Sequence, residues 1–118
     1  MLNDYQIQGK VYLCCGYTDL RKGMEGLSRM VEEEFGMRLE KDSLFLFCGR
    51  RSDRIKGILW EGDGYLLLYK RLEEGKFRWP RKAEELVEMS EEQYRYLMRG
   101  MEVIVPEIPV RKVAPKTA

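Results

Sequence analysis

The chain has 118 residues, 44% apolar and 35% charged, with 21 Lys/Arg against 20 Asp/Glu and no histidine. That length suits one domain rather than two, and the apolar share suits a packed core rather than disorder. The longest apolar runs are about five residues, far short of the roughly 18 that cross a bilayer. The start MLNDYQIQGK carries no basic-then-apolar leader, so a cytoplasmic protein is expected.

Without histidine the chain lacks the commonest general base and metal ligand. None of Ser28, Ser43, Ser52 and Ser90 lies in a GxSxG elbow. No phosphate-cradling GxxxxGKS/T or GxGxxG is present. Asp19, Asp53 and Asp63 fit no two-metal spacing; a cap, a loop pairing and a turn account for them. The expectation is a non-enzyme without a cofactor. Cys14, Cys15 and Cys48 are odd in number and form no CxxC, against a disulfide framework. Adjacent residues of a strand face opposite ways, so Cys14 and Cys15 read as small core residues and not as a metal pair.

In chain order, KVYLCCG reads as a strand. TDLRKGMEGLSRMVEEEFG then reads as one long helix with Leu20, Met24, Leu27, Val31 and Phe35 on one face. Thr18 or Asp19 can cap its start and Gly36 can end it. Gly23 and Gly26 weaken a helix interior, which suggests close approach of helix to sheet; the GxxG they form is unlike a nucleotide clamp because Glu25 would repel phosphate. LFLFC is apolar on both faces and belongs in the sheet centre. RIKGILW and YLLLYKRL flank EGDG, where Asp63-Gly64 signals a hairpin. EEGK turns into FRWP, and Pro80 bars a central strand there. EELVEM suggests another edge strand, and Ser90 with Gln93 forms a capping box for EEQYRYLMRGM. The expected fold is α+β: an antiparallel β-meander of about five strands, one long helix packed on it and a short C-terminal helix. Residues 1–102 form the single domain. Residues 103–118, with their prolines, form an extended or mobile tail.

Charge is segregated along the chain. Residues 50–82 hold ten Lys/Arg against five Asp/Glu, whereas residues 83–102 hold two against six. Arg50 and Arg51 follow the central strand, Arg54 and Lys56 alternate along the next, and Lys70 and Arg71 end its hairpin partner, so all converge on one end of the hairpin. Phe77 and Trp79, with Arg81 and Lys82, could extend that surface with aromatic planes for bases. A polyanion such as nucleic acid, an acidic protein partner, or a solvated face neutralised by Asp53, Glu61, Asp63, Glu73 and Glu74 are all compatible with this pattern.

Four motifs in order, GYTDLRKGMEGL, LFLFCGRRSDRIKGILWEGDG, LLYKRLEEGKFRWP and MSEEQYRYLMRGM, resemble the TnpB-type accessory protein, or second open reading frame protein, of the insertion sequence 66 (IS66) family. The resemblance spans residues 11–101 and does not extend to the larger RNA-guided nucleases that share the name. It implies a bacterial protein that assists transposition beside a separate transposase and a second accessory protein, with no catalytic residues of its own; contact of the basic set with element-end DNA is the further expectation. Motif matching adds Arg21 and Lys22 to the basic set. The expected nucleic-acid or partner-binding residues are therefore Arg21, Lys22, Arg50, Arg51, Arg54, Lys56, Lys70 and Arg71. The alternative is an adaptor that docks the transposase or the other accessory protein without touching DNA.

Overall fold

The computed structural model describes residues 2–81 and 86–100 and the backbone of 112–113. Six strands form one sheet: β1 (Val11–Cys14), β2 (Leu44–Cys48), β3 (Arg54–Trp60), β4 (Tyr65–Arg71), β5 (Leu86–Met89) and β6 (Lys112–Val113). Their order is β4-β3-β2-β1-β5-β6. The α+β class holds, but the sheet is mixed and not an antiparallel meander. β1 and β2 run parallel, with Val11 opposite Leu44 and Leu13 opposite Leu46. Parallel neighbours need a crossover, and residues 15–43 supply it. β5 then returns antiparallel along the other side of β1, from Val11–Met89 to Cys14–Leu86. It is not the edge expected of it, because Lys112–Val113 pair with Leu86–Val87 on its outer side. The other residues expected to form the tail lie outside the described residues.

The crossover helix is shorter than its apolar stripe suggests. It comprises α1 (Met24–Arg29) and a π-helical continuation, Met30–Glu34. Gly23 stands at its N-cap, and neither Thr18 nor Asp19 caps it. The backbone ahead of Met24 is held instead by local bonds, among them Asp19 Oδ1 accepting from the Arg21 amide at 3.0 Å. Leu20 and Phe35 still pack against the same cluster as Leu27 and Val31, so the stripe records burial beyond the helix itself. Gly23 and Gly26 show no close helix–sheet contact: a Cβ at Gly23 would meet nothing within 4 Å, and the three atoms nearest one at Gly26 all belong to Lys22.

β2 is the centre of the molecule and is buried on both faces. Phe45 and Phe47 join Tyr12, Leu27, Met30, Val31 and Ile58 on the α1 side. Leu44, Leu46 and Cys48 join Val11, Leu13, Phe77, Trp79, Tyr94 and Leu97 on the other. Cys14 and Cys15 fall into opposite clusters. The second face is closed by α2 (Glu91–Met98), started by the capping box of Ser90 and Gln93. The β3–β4 hairpin turns over Glu61–Gly64, with the Glu61 amide donating to the Gly64 carbonyl at 2.9 Å. Gly62, at φ +96°, takes the left-handed position that a side chain would strain, and the Asp63-Gly64 pair does not.

Phe45 is fully buried and stacks on Tyr12 with ring centroids 5.1 Å apart. Phe45→Ala should cost about 3–5 kcal/mol, read as a lower urea midpoint, because a cavity opens where both sheet neighbours are fixed.

Candidate nucleic-acid interface

Parallel pairing brings the C-terminal ends of β1 and β2 to one edge of the sheet. β3 begins and β4 ends at that same edge, with Arg54 opposite Arg71. Two loops, 15–23 and 49–53, therefore emerge side by side. They touch: the Thr18 amide donates to the Cys48 carbonyl at 2.9 Å, and a Cβ on Gly49 would press on the Leu20 side chain at 3.2 Å. A groove of about 1100 Å³ opens over them, lined by Tyr17, Arg21, Arg50, Arg51, Arg54, Lys56, Leu67 and Tyr69 among others.

Of the eight basic residues expected here, five line this groove: Arg21, Arg50, Arg51, Arg54 and Lys56. Arg71 shares their sheet face, directly across from Arg54, but lies beyond the lining. Like charges at directly opposed positions repel, which favours an anion between them. Lys22 is likewise outside the lining; its backbone carbonyl accepts from Lys56 Nζ at 3.1 Å. Lys70 leaves the set. It is paired with Ile55, whose side chain enters the opposite core cluster, and its ammonium bonds Asn3 Oδ1 on that other face. The sequence places Lys70 and Arg71 together, but consecutive strand residues point apart.

Two internal carboxylates offset part of this charge. Asp19 holds Arg21 at 2.8 Å, and Asp53 holds Arg54 at 3.1 Å. The hydrogen bond from Arg21 draws the Asp19 carboxyl down to about 2, and the bond from Arg54 lowers that of Asp53, so both stay ionised at neutral pH. The Asp19–Arg21 pair is solvated, and such pairs are weak and exchangeable; the Asp53–Arg54 pair is half-buried. Among the described residues Arg50 and Arg51 make no ion pair.

Phe77 and Trp79 do not extend the surface. They are 1% and 6% exposed, and the Trp79 indole N–H donates to the Cys14 carbonyl at 2.8 Å. The aromatic planes at the groove are instead Tyr17 and Tyr69, which sequence reasoning missed. Tyr69 carries a readable signal, since Leu67, Tyr69 and Arg71 alternate along one face of β4. Tyr17 has none; its place follows from the loop packing.

Arg81, expected to extend the surface, instead builds the site from beneath. Its guanidinium donates to the Gly16 carbonyl at 2.7 Å, to the Gly49 carbonyl at 2.6 Å and to Ser52 Oγ at 3.0 Å. The same group lies 4.2 Å from the centroid of the Tyr17 ring. One planar fork thus ties the loop after β1 to the loop after β2, a geometry that a lysine ammonium cannot reproduce. Lys82 lies outside the described residues. The Cys48 thiol beside Arg81 is pushed up to about 11 by burial, which outweighs the lowering by the guanidinium.

Arg81→Lys should lower stability by about 2 kcal/mol in urea unfolding followed by tryptophan fluorescence, because buried carbonyls lose their donor. Iodoacetamide at pH 8 should leave Cys48 unlabelled in the folded protein and label it after denaturation. Because the folded-state value lies above the ordinary 9.0, the stability contributed by this thiol is intact below pH 9. It falls away as pH rises toward 11, which a series of urea midpoints across that range would register.

The family model for IS66 Orf2-like protein matches residues 9–107. Two proteins of Sinorhizobium fredii (strain NBRC 101917 / NGR234) are similar. One, "Uncharacterized protein y4hO", is 33% identical over 93 residues, covering 79% of this chain and 81% of its own length. The other, "Uncharacterized protein y4jC", is 34% identical over 85 residues, covering 72% and 73%. No solved structure matches the chain. The family match takes in every strand that frames the groove, both helices and Arg81, and on it the chain belongs to the IS66 Orf2-like family, accessory proteins of insertion-sequence transposition.

Proposed function

We propose that this protein is a non-enzymatic transposition accessory factor that holds DNA of the element, alone or already bound by the transposase, through the groove at the edge shared by β1 to β4. The observation that carries the reading is convergence. Arg21, Arg50, Arg51, Arg54 and Lys56 line one open groove, and among the described residues only Asp19 and Asp53 pair with them. Five cations held that close repel one another, and a polyanion relieves the repulsion. A row of phosphates does so while displacing condensed counterions, which adds a favourable release term. Such contacts fix position on DNA and carry little base identity, so binding should be weakly sequence-specific. The transposase and the second accessory protein are the expected companions.

An adaptor that docks a protein through its acidic stretch has less to offer. Of the acids at Glu84 to Glu92, the first two lie outside the described residues. Glu88 faces Lys10 at 3.9 Å, Glu91 faces Arg95 at 3.8 Å, and Glu92 accepts from the Tyr96 hydroxyl at 2.7 Å. The described acids are thus paired within the chain, whereas Arg50 and Arg51 make no ion pair among the described residues.

A gel-shift titration with terminal-repeat duplex should show binding that weakens by about two orders of magnitude or more between roughly 50 and 200 mM salt. Arg50→Glu with Arg51→Glu should abolish both the shift and transposition while leaving the urea midpoint in place. Absence of any shift at low salt, together with co-purification with the transposase, would replace the DNA reading by the adaptor.

A further inference from the structure

We infer that the groove takes unpaired, single-stranded DNA in preference to duplex, with Tyr17 and Tyr69 as the planes on which bases stack between the cations. The inference rests on the polyanion reading above and adds the state of the strand. Among the described residues, the large hydrophobic side chains left exposed are Tyr17 at 54%, Tyr69 at 53% and Leu67 at 36%. All three line the basic groove. Phosphates alone make no use of apolar surface. Bases do, and a cationic channel interleaved with aromatic rings is the recurring solution for single strands.

Both rings are held before any ligand arrives. Tyr17 lies against the Arg81 guanidinium, itself fixed by the Gly16 and Gly49 carbonyls and Ser52. Arg50, exposed and without an ion pair among the described residues, lies farther from the same ring at 5.7 Å and is free to turn to a phosphate. Tyr69 stands on β4 opposite Lys56, whose ammonium is 5.9 Å from its ring. Planes of low residual freedom bind at small ordering cost. Tyr17 comes from the loop after β1 and Tyr69 from strand β4, and both line the groove together with Arg50, Arg51, Arg54 and Lys56. A single strand laid in the groove would meet rings and cations together. In a duplex the base faces are already stacked, so only its phosphates reach this surface.

Fluorescence anisotropy of the full chain with an oligothymidylate of about 15 nucleotides, and with a duplex of the same length, tests the inference. The single strand should bind about tenfold or more tightly than the duplex at the same salt. Tyr17→Ala and Tyr69→Ala should each weaken single-strand binding by about tenfold and leave duplex binding unchanged. Tyr69→Phe should retain wild-type affinity, because the ring and not the hydroxyl stacks. Equal affinity for both forms, or alanine variants that lower both alike, overturns the stacking inference while the phosphate reading stands. Binding of neither form overturns both. Because Tyr17 packs on Arg81, its variant counts only with an unchanged urea midpoint, and Tyr69, exposed on an edge strand, supplies the independent arm.

Discussion

The parallel pairing of β1 with β2 is the constraint from which the rest of this structure follows. Had β1 paired antiparallel, its outgoing loop would leave the sheet at the opposite end from the Gly49–Asp53 loop. Parallel pairing sends residues 15–23 and 49–53 out at one edge, where β3 starts and β4 finishes. Ligands of parallel α/β sheets gather outside the carboxyl ends of strands for the same geometric reason. Here a single parallel pair in an otherwise antiparallel sheet is enough to assemble a groove.

The arginines of that edge divide into two kinds by what their guanidinium groups touch. Arg81 is occupied by backbone: two carbonyls and a serine hydroxyl take its donors, and a tyrosine ring covers its plane. It serves the fold, and through the fold it sets the attitude of Tyr17. Arg50 and Arg51 sit in the loop that Arg81 anchors, exposed and without an ion pair among the described residues. Arg21 and Arg54 stand between, each paired with a carboxylate close to it in sequence, Asp19 exposed and Asp53 half-buried. A net charge of +1 conceals all of this. The whole-chain balance averages over a basic edge and an acidic segment whose described acids bond to Lys10, Arg95 and Tyr96.

Burial explains why the two tryptophan-bearing segments behave differently from their appearance in sequence. FRWP follows a basic hairpin and looks like its continuation. Yet Phe77 and Trp79 close the second face of the sheet, where the Phe77 amide donates to the Ser52 carbonyl at 2.7 Å. Trp60 instead remains at the hairpin rim, half-buried against Tyr65.

Local chemistry was legible in the sequence wherever a short span decides the outcome. The double-faced burial of LFLFC, the hairpin of β3 and β4, the Ser90–Gln93 capping box and the convergence of Arg54 with Arg71 each depend on neighbours within one element or one turn. The helix start was misread because an apolar stripe reports which side chains pack on the core, and Leu20 packs there, half-buried, from a loop. The direction of β1, the burial of Trp79 and the clamp of Arg81 were decided by tertiary structure alone. Each rests on a contact between segments 30 or more residues apart, and a strand's apolar alternation is the same whichever way its partner runs. Strand identity is therefore written in the sequence, while the edge at which charge and rings meet is set by how the strands pair.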